Sequence, residues 1–231
     1  MKHSIFRAFG SSRGVFPQDT EEPIRSELFS IERLEQHAES LATAQRVTAK
    51  PAAGRPLAAR LGDNGRVLLQ AYRAIAEAIK EEQVITPAAE WLVDNFHVVD
   101  EQIREIHDDL PRGYYRQLPK LSEGPLEGYP RVFGLAWAFV AHTDSRFDLE
   151  TLSRFVRAYQ RVQPLTIGEL WAVAITLRIV LVENLRRSAQ CIVTSRAERQ
   201  EAEGAQDREK GQQFLVHPNP PEPRVRARFT S

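Results

Sequence analysis

Apolar residues recur along this chain in steps of three and four, and no stretch shows the two-residue alternation of a strand. The clearest run lies within residues 86–119. There Leu92, Phe96, Val99, Ile103, Ile106 and Leu110 fall at spacings of four, three, four, three and four, the stripe that one helix face presents to a core. Its start is marked three times: Thr86 can accept from first-turn N–H groups, Pro87 sits where a missing N–H costs nothing, and Glu90 places negative charge near the positive helix end. Pro111 and Gly113 stop it.

The same reading predicts a helix from about Pro23 to Val47, with Leu28, Ile31, Leu34, Ala38 and Leu41 inward and His37 a plain surface residue on the polar side. The segment AKPAAGRPLAARL reads as a connector, after which Asp63 caps a helix from about Asn64 to Glu82 with the stripe Leu68, Tyr72, Ile75 and Ile79. Residues 111–130, rich in proline, glycine and tyrosine, form a long ordered loop. A helix over Pro130 to His142 is apolar nearly all round and must be buried on most sides. Asp148 caps the next helix, which turns Leu152, Phe155, Val156, Tyr159 and Val162 inward and leaves Arg154, Arg157 and Arg161 as a basic outer stripe. Thr166 and Glu169 match a capping box that opens the most apolar stretch, IGELWAVAITLRIVLVENL, read as a central core helix running on through Arg186 and Arg187 into the charged segment SRAERQEAEGAQDREK. The expected fold is therefore all-α: a bundle of about six helices with a core of Trp91, Phe96, Phe133, Trp137, Phe155 and Trp171, a long ordered loop and disordered termini. Residues 1–22 read as an arm, 23–203 as the helical domain and 204–231 as a tail without periodicity.

Composition narrows the function classes only a little. The 231 residues, 42% of them hydrophobic and 27% charged, suffice for one domain with a tail. Lys plus Arg and Asp plus Glu number 31 each, so bulk charge gives no argument for nucleic acid or an anionic membrane. Glu169, Arg178 and Glu183 interrupt the apolar stretch, which argues against a direct membrane span. Arg7 and Arg13 break the N-terminus before it reaches signal-peptide length, and the isolated chain is expected in the cytoplasm. The single Cys191 excludes an internal disulfide and a multi-cysteine zinc site.

Two constellations could carry chemistry. Asp94, His97 and Glu101 share a helix face at ligand spacing, but a di-iron bundle needs a second Glu-x-x-His helix, and a solvated face explains the same residues; no metal or cofactor is expected. The loop HDDLPRGYYRQLPKL gathers His107, Asp108, Asp109, Arg112, Tyr114, Tyr115, Arg116 and Lys120. Tyrosine faces beside arginines stack sugar rings or bases, and carboxylates bond hydroxyls. Alternatively the tyrosines pin the loop to the bundle, with Asp109 and Arg112 as a local ion pair. Phosphate-cradling glycine loops, zincin motifs and nucleophile elbows are absent, and Cys191 has no clear histidine partner, so no catalytic residue is assigned.

Three runs carry a family resemblance: WLVDNFHVVDEQIREIHDDLPRGYYRQLPKL, YPRVFGLAWAFVAHTDSRFD and LTIGELWAVAITLRIVLVENLRR. In this order, and over about Pro23 to Arg199, the chain resembles the N-terminal region of bacterial cyclic β-1,2-glucan synthases. These are very large inner-membrane enzymes that join a sugar-nucleotide glucosyltransferase to a phosphorylase-like module and membrane helices, and make periplasmic glucans. The resemblance implies a noncatalytic helical segment whose partners are the catalytic and membrane modules of such a synthase, or glucan chains. It carries over no catalytic residue, because the chain has no Gln-x-x-Arg-Trp motif. A truncated gene product, its tail outside the family pattern, is the expectation that follows. The other class is a standalone carbohydrate-binding or small enzyme domain using residues 107–120.

Overall fold

The computed structural model describes residues 22–48, 56–110 and 113–216, with side chains to 206. Seven helices and one pair of two-residue strands follow in the order α1 (Ile31–Ala44), β1 (Val47–Thr48), α2 (Leu57–Lys80), α3 (Pro87–Asp109), α4 (Tyr114–Gln117), β2 (Lys120–Leu121), α5 (Arg131–Thr143), α6 (Leu149–Val162) and α7 (Ile167–Val216). The all-α expectation holds. The small strand pair is an addition that the hydrophobic pattern did not announce: Val47 lies antiparallel to Leu121 and Thr48 to Lys120, tying the exit of α1 to the loop before α5.

Three helix starts were legible from the side chains that cap them. Thr86 accepts from Ala89 N–H (3.3 Å), Asp148 from Thr151 N–H (2.7 Å), and Thr166 and Glu169 exchange both bonds of the capping box (3.2 and 2.9 Å). Two starts were misplaced. Residues 22–30 are extended rather than helical because their N–H groups bond to other elements, and α1 begins only after Ser30, which accepts from Arg33 N–H (3.4 Å). Leu28 and Ile31, expected inward, are exposed.

α2 begins seven residues earlier than Asn64, because Leu57 and Leu61 extend its buried stripe through Asn64, Leu68, Ala71, Ile75 and Ala78. Asp63 therefore lies within the helix, exposed and paired with Arg66, rather than at its cap. Ile79 is exposed, while Tyr72 stacks on Phe96 of α3 (4.3 Å between centroids).

α1 lies along α6, and α2 along α3. The stripe expected to face solvent on α6 joins it to α1 instead: Arg154 pairs with Glu35 (2.7 Å) and Arg161 with Glu39 (2.9 Å). Arg157 is exposed, and so is Val162, which was expected inward. α5 is buried nearly all round, as its composition required. Gly134 permits this, since a Cβ there would lie 2.9 Å from Gln45 Nε2 and 3.1 Å from Leu121 Cδ1.

The expected core needs two corrections. Phe133 and Phe155 are fully buried and Phe96 and Trp137 pack at the core's edge, but Trp91 is 54% and Trp171 80% exposed. The cause is helical phase. Successive residues are about 100° apart, so Trp91 stands beside the stripe led by Leu92, and Trp171 lies on the side opposite Glu169, whose carboxylate is drawn inside.

The chain divides into two units between Val193 and Thr194. In the second, the helix continues to Val216, into the stretch 204–231 that was expected as a tail without periodicity, and most described side chains are exposed. The rest of the expected tail, and residues 1–21 of the expected arm, lie outside the described residues. Among the described residues no helix is long and apolar enough to cross a membrane.

Candidate functional site

The loop singled out from the sequence is split by the fold into an outer and an inner half. At the end of α3, His107 and Asp108 are exposed, 3.5 Å from one another. Asp109 pairs with Arg178 of α7 (3.4 Å), which also holds Glu105 (2.7 Å) and Gln102 (2.9 Å). Arg112, its expected partner, lies outside the described residues. Gly113, at φ +85°, turns the chain into α4.

The two tyrosines that open α4 face inward. Tyr114 donates its hydroxyl proton to Gly168 O, and Tyr115 meets it edge to face (5.4 Å). Burial pushes the Tyr115 phenol up to about 12, against the opposing pull of the Thr176 hydroxyl that it faces. Arg116 stays exposed, while Lys120 is buried, its amine donating to Arg116 O (2.6 Å) and Leu118 O (3.0 Å). Burial lowers the pKa of this ammonium, because carbonyl oxygens replace only part of its hydration. The fold thus seats Tyr114 and Tyr115 against α7, turns Lys120 onto the carbonyls of its own loop, and leaves His107, Asp108 and Arg116 on the surface.

This arrangement sets a prediction. Tyr115→Ala is expected to cost about 2–3 kcal/mol, less than truncating a fully buried aromatic because its ring is partly buried against the core, whereas Trp171→Ala should stay within about 0.5 kcal/mol, as exposed substitutions do. Urea unfolding of both variants checks it; equal losses would mean that the inward and outward assignments are wrong.

Asp94, His97 and Glu101, the other candidate set, stand on the solvent side of α3. Among the described residues no group of three His, Cys, Asp or Glu side chains converges on a point where a metal could sit.

The strongest electrostatics lie inside the bundle, around Glu183 and Glu169, whose charges the sequence marked only as breaks in an apolar stretch and, for Glu169, as a cap. Glu183 is buried among Arg60 (2.7 Å), Arg187 (2.9 Å), Arg186 (3.5 Å) and Asn64 (2.8 Å). Desolvation drives this carboxyl's pKa up, but Arg60, Arg187 and Asn64 together outweigh it and hold it below the ordinary value. Arg131 forms a second centre, donating through Nε and Nη2 to both oxygens of Glu169 (2.5 and 2.7 Å), and to Gln163 Oε1 (2.7 Å) and Pro164 O (2.8 Å). Tyr159, whose phenol burial raises to about 12, shares Gln163 and reaches Gln45 Oε1 (2.7 Å).

A signal for the second centre was available, since the capping-box Glu169 sits on a core helix. None was available for the first, because Arg60 and Glu183 are 123 residues apart. One further surface stands out. An apolar groove of about 210 Å³ between α3 and α7 is lined by Ala88, Trp91, Leu92, Leu185, Ser188, Ala189 and Ile192.

No family profile matches the chain. Over 204 residues, 88% of its length, the chain is 41% identical to the cyclic beta-(1,2)-glucan synthase NdvB of Rhizobium meliloti (strain 1021), and it spans 7% of that protein's length. Identity of this extent bears out the resemblance carried by the three runs: the chain is similar, along most of its length, to a small segment of a cyclic β-(1,2)-glucan synthase.

Proposed function

We propose that this chain is a noncatalytic helical module of a cyclic β-1,2-glucan synthase, serving glucan synthesis only together with the glucosyltransferase and phosphorylase-like modules. The observation that carries this reading is the 41% identity to a segment amounting to 7% of the relative. The engagement of the loop's polar and aromatic groups in holding the bundle supports it. The apolar groove at Trp91 and the exposed Trp171 are the surfaces through which such a module would dock.

Purified chain is expected to leave a sugar nucleotide intact, and to co-purify with the remaining modules of a synthase supplied as separate polypeptides. Turnover that survives repurification, or failure to capture any of those modules, would overturn the proposal.

A second reading, direct contact with glucan chains, is favoured by one observation. Trp171, 80% exposed, stands within one turn of Gly168, where Tyr114 anchors the loop. An indole face open to solvent suits a sugar ring, and Arg116 and Asp108 are likewise exposed. If glucan is the ligand, Arg116→Ala and Trp171→Ala weaken its binding in calorimetry and leave the melting temperature unchanged.

A further inference from the structure

Residues 22–30 form a strap across the C-terminal end of α5, held mainly by its main chain. Ser26 N–H donates to Ala141 O (2.9 Å), Phe29 N–H to His142 O (3.2 Å) and Ile24 N–H to Asn184 Oδ1 (2.5 Å). At its far end the carbonyl of Glu22 accepts from Arg187 (3.1 Å). Where the strap meets α1, three rings close on one another. Phe29 stacks on His142 (centroids 3.9 Å apart, planes 11° apart), and His37 of α1 stands edge-on to His142 (4.5 Å) and to Phe29 (5.5 Å). His142 Nδ1 lies 2.8 Å from Glu27 O, so this nitrogen carries the proton and donates it to the strap. The surface residue expected at position 37 is thus half-buried and part of a contact between three segments.

We propose that His37, His142 and Phe29 form an acid-operated latch: neutral imidazoles hold residues 22–30 against α5, and protonation releases the strap, uncovering the Asn184 and Arg187 side chains that it covers. Two imidazolium rings 4.5 Å apart repel, and each must also give up water to remain in the cluster.

The surrounding charges do not cancel that cost. From the strap, Glu27 favours protonation of His142 but is itself bound to Arg33 (2.6 Å), and Arg25 is tied to Asp144 beyond the end of α5 (3.1 Å). From α1, Arg33 lies over the Phe29 ring (4.5 Å) and opposes a charge on His142. α6, which runs along α1, pairs Arg154 with Glu35, and α7 brings the uncharged Asn184.

Burial first, and His142 second, bring the His37 imidazole down to about 4; burial also lowers His142. An imidazole freed to solvent titrates near 6.5. The open strap therefore binds protons that the closed one refuses, and its population grows as the pH falls from about 6.5 towards about 4. Between pH 7.5 and pH 5, His37 alone raises the open-to-closed ratio roughly thirtyfold.

The test is amide hydrogen exchange, read by NMR in the intact chain at Ser26 and Phe29, with rates divided by the intrinsic rate at each pH. Protection at both amides is expected to fall about thirtyfold or more from pH 7.5 to pH 5, while Val99, in the middle of α3, changes far less. In His37→Phe/His142→Asn, where the asparagine amide still donates to Glu27 O, the fall should disappear. If that pair does not fold, His142→Asn alone should shrink the fall. Unchanged protection in the parent chain, an equal fall at Val99, or a fall that persists undiminished in whichever variant folds would each overturn the latch.

Discussion

Glu183→Ala is expected to lower the unfolding free energy by about 3–5 kcal/mol, the usual cost of leaving buried charge without its counter-charge. Arg60, Arg186 and Arg187 all lie within 3.5 Å of this one carboxylate, so its removal leaves three guanidiniums facing each other in the interior. Asn64 would lose its acceptor as well. The same geometry gives the effect a pH dependence. The Glu183 pKa is held below the value of an unfolded glutamate, so its contribution is complete above about pH 4.5 and is lost as the pH falls further, towards the folded pKa. Denaturant titrations of parent and variant at pH 7 and pH 3 should therefore differ more at pH 7. A constant difference would mean that Glu183 acts through packing alone.

Arg131→Met is expected to cost a similar amount, about 3–5 kcal/mol, for a related reason. The guanidinium is the only cation bonded to Glu169 among the described contacts, and the same group closes Gln163 and the carbonyl of Pro164. Glu169 alone would be a buried carboxylate held by Thr166, with its pKa pushed up by burial and no longer brought down by Arg131. The double variant Arg131→Met/Glu169→Leu should lose less than the two single variants added together, since neither charge is then left unpaired. Additive losses would show that the pair does not act as a unit. Melting of the four proteins at one pH completes the cycle.

These two centres show where reading from sequence stops. The helix at residues 87–109 was legible because its evidence is local: a cap at Thr86, Pro87 at the first position and an unbroken stripe from Leu92 to Ile106. Asp148 and the Thr166 to Glu169 box were legible for the same reason, since a cap is settled within one turn. Of the loop residues, Tyr114 and Tyr115 could be named as functional or structural candidates from composition. Their inward orientation follows from Gly168 and Thr176, more than fifty residues away.

The exposed tryptophans make the same point from the other side. Hydrophobicity assigned Trp91 and Trp171 to the core, but a helix has more apolar residues than one buried face can hold, and phase relative to Leu92 and Glu169 decided which stayed out.

Local chemistry in the chain was enough to place most helices, three of their caps, the near-complete burial of α5 and the likeness to a glucan synthase segment, because each rests on neighbours within a few residues or on runs of residues read in order. The three-dimensional packing alone assigned Glu183 its arginines, made the outer stripe of α6 a bond to α1, turned a surface histidine into part of a ring cluster and joined Val47 to Leu121. Each of these depends on which distant segments meet. A charged or aromatic side chain has the same propensity whether it faces water or a partner, and only the approach of that partner makes its burial favourable.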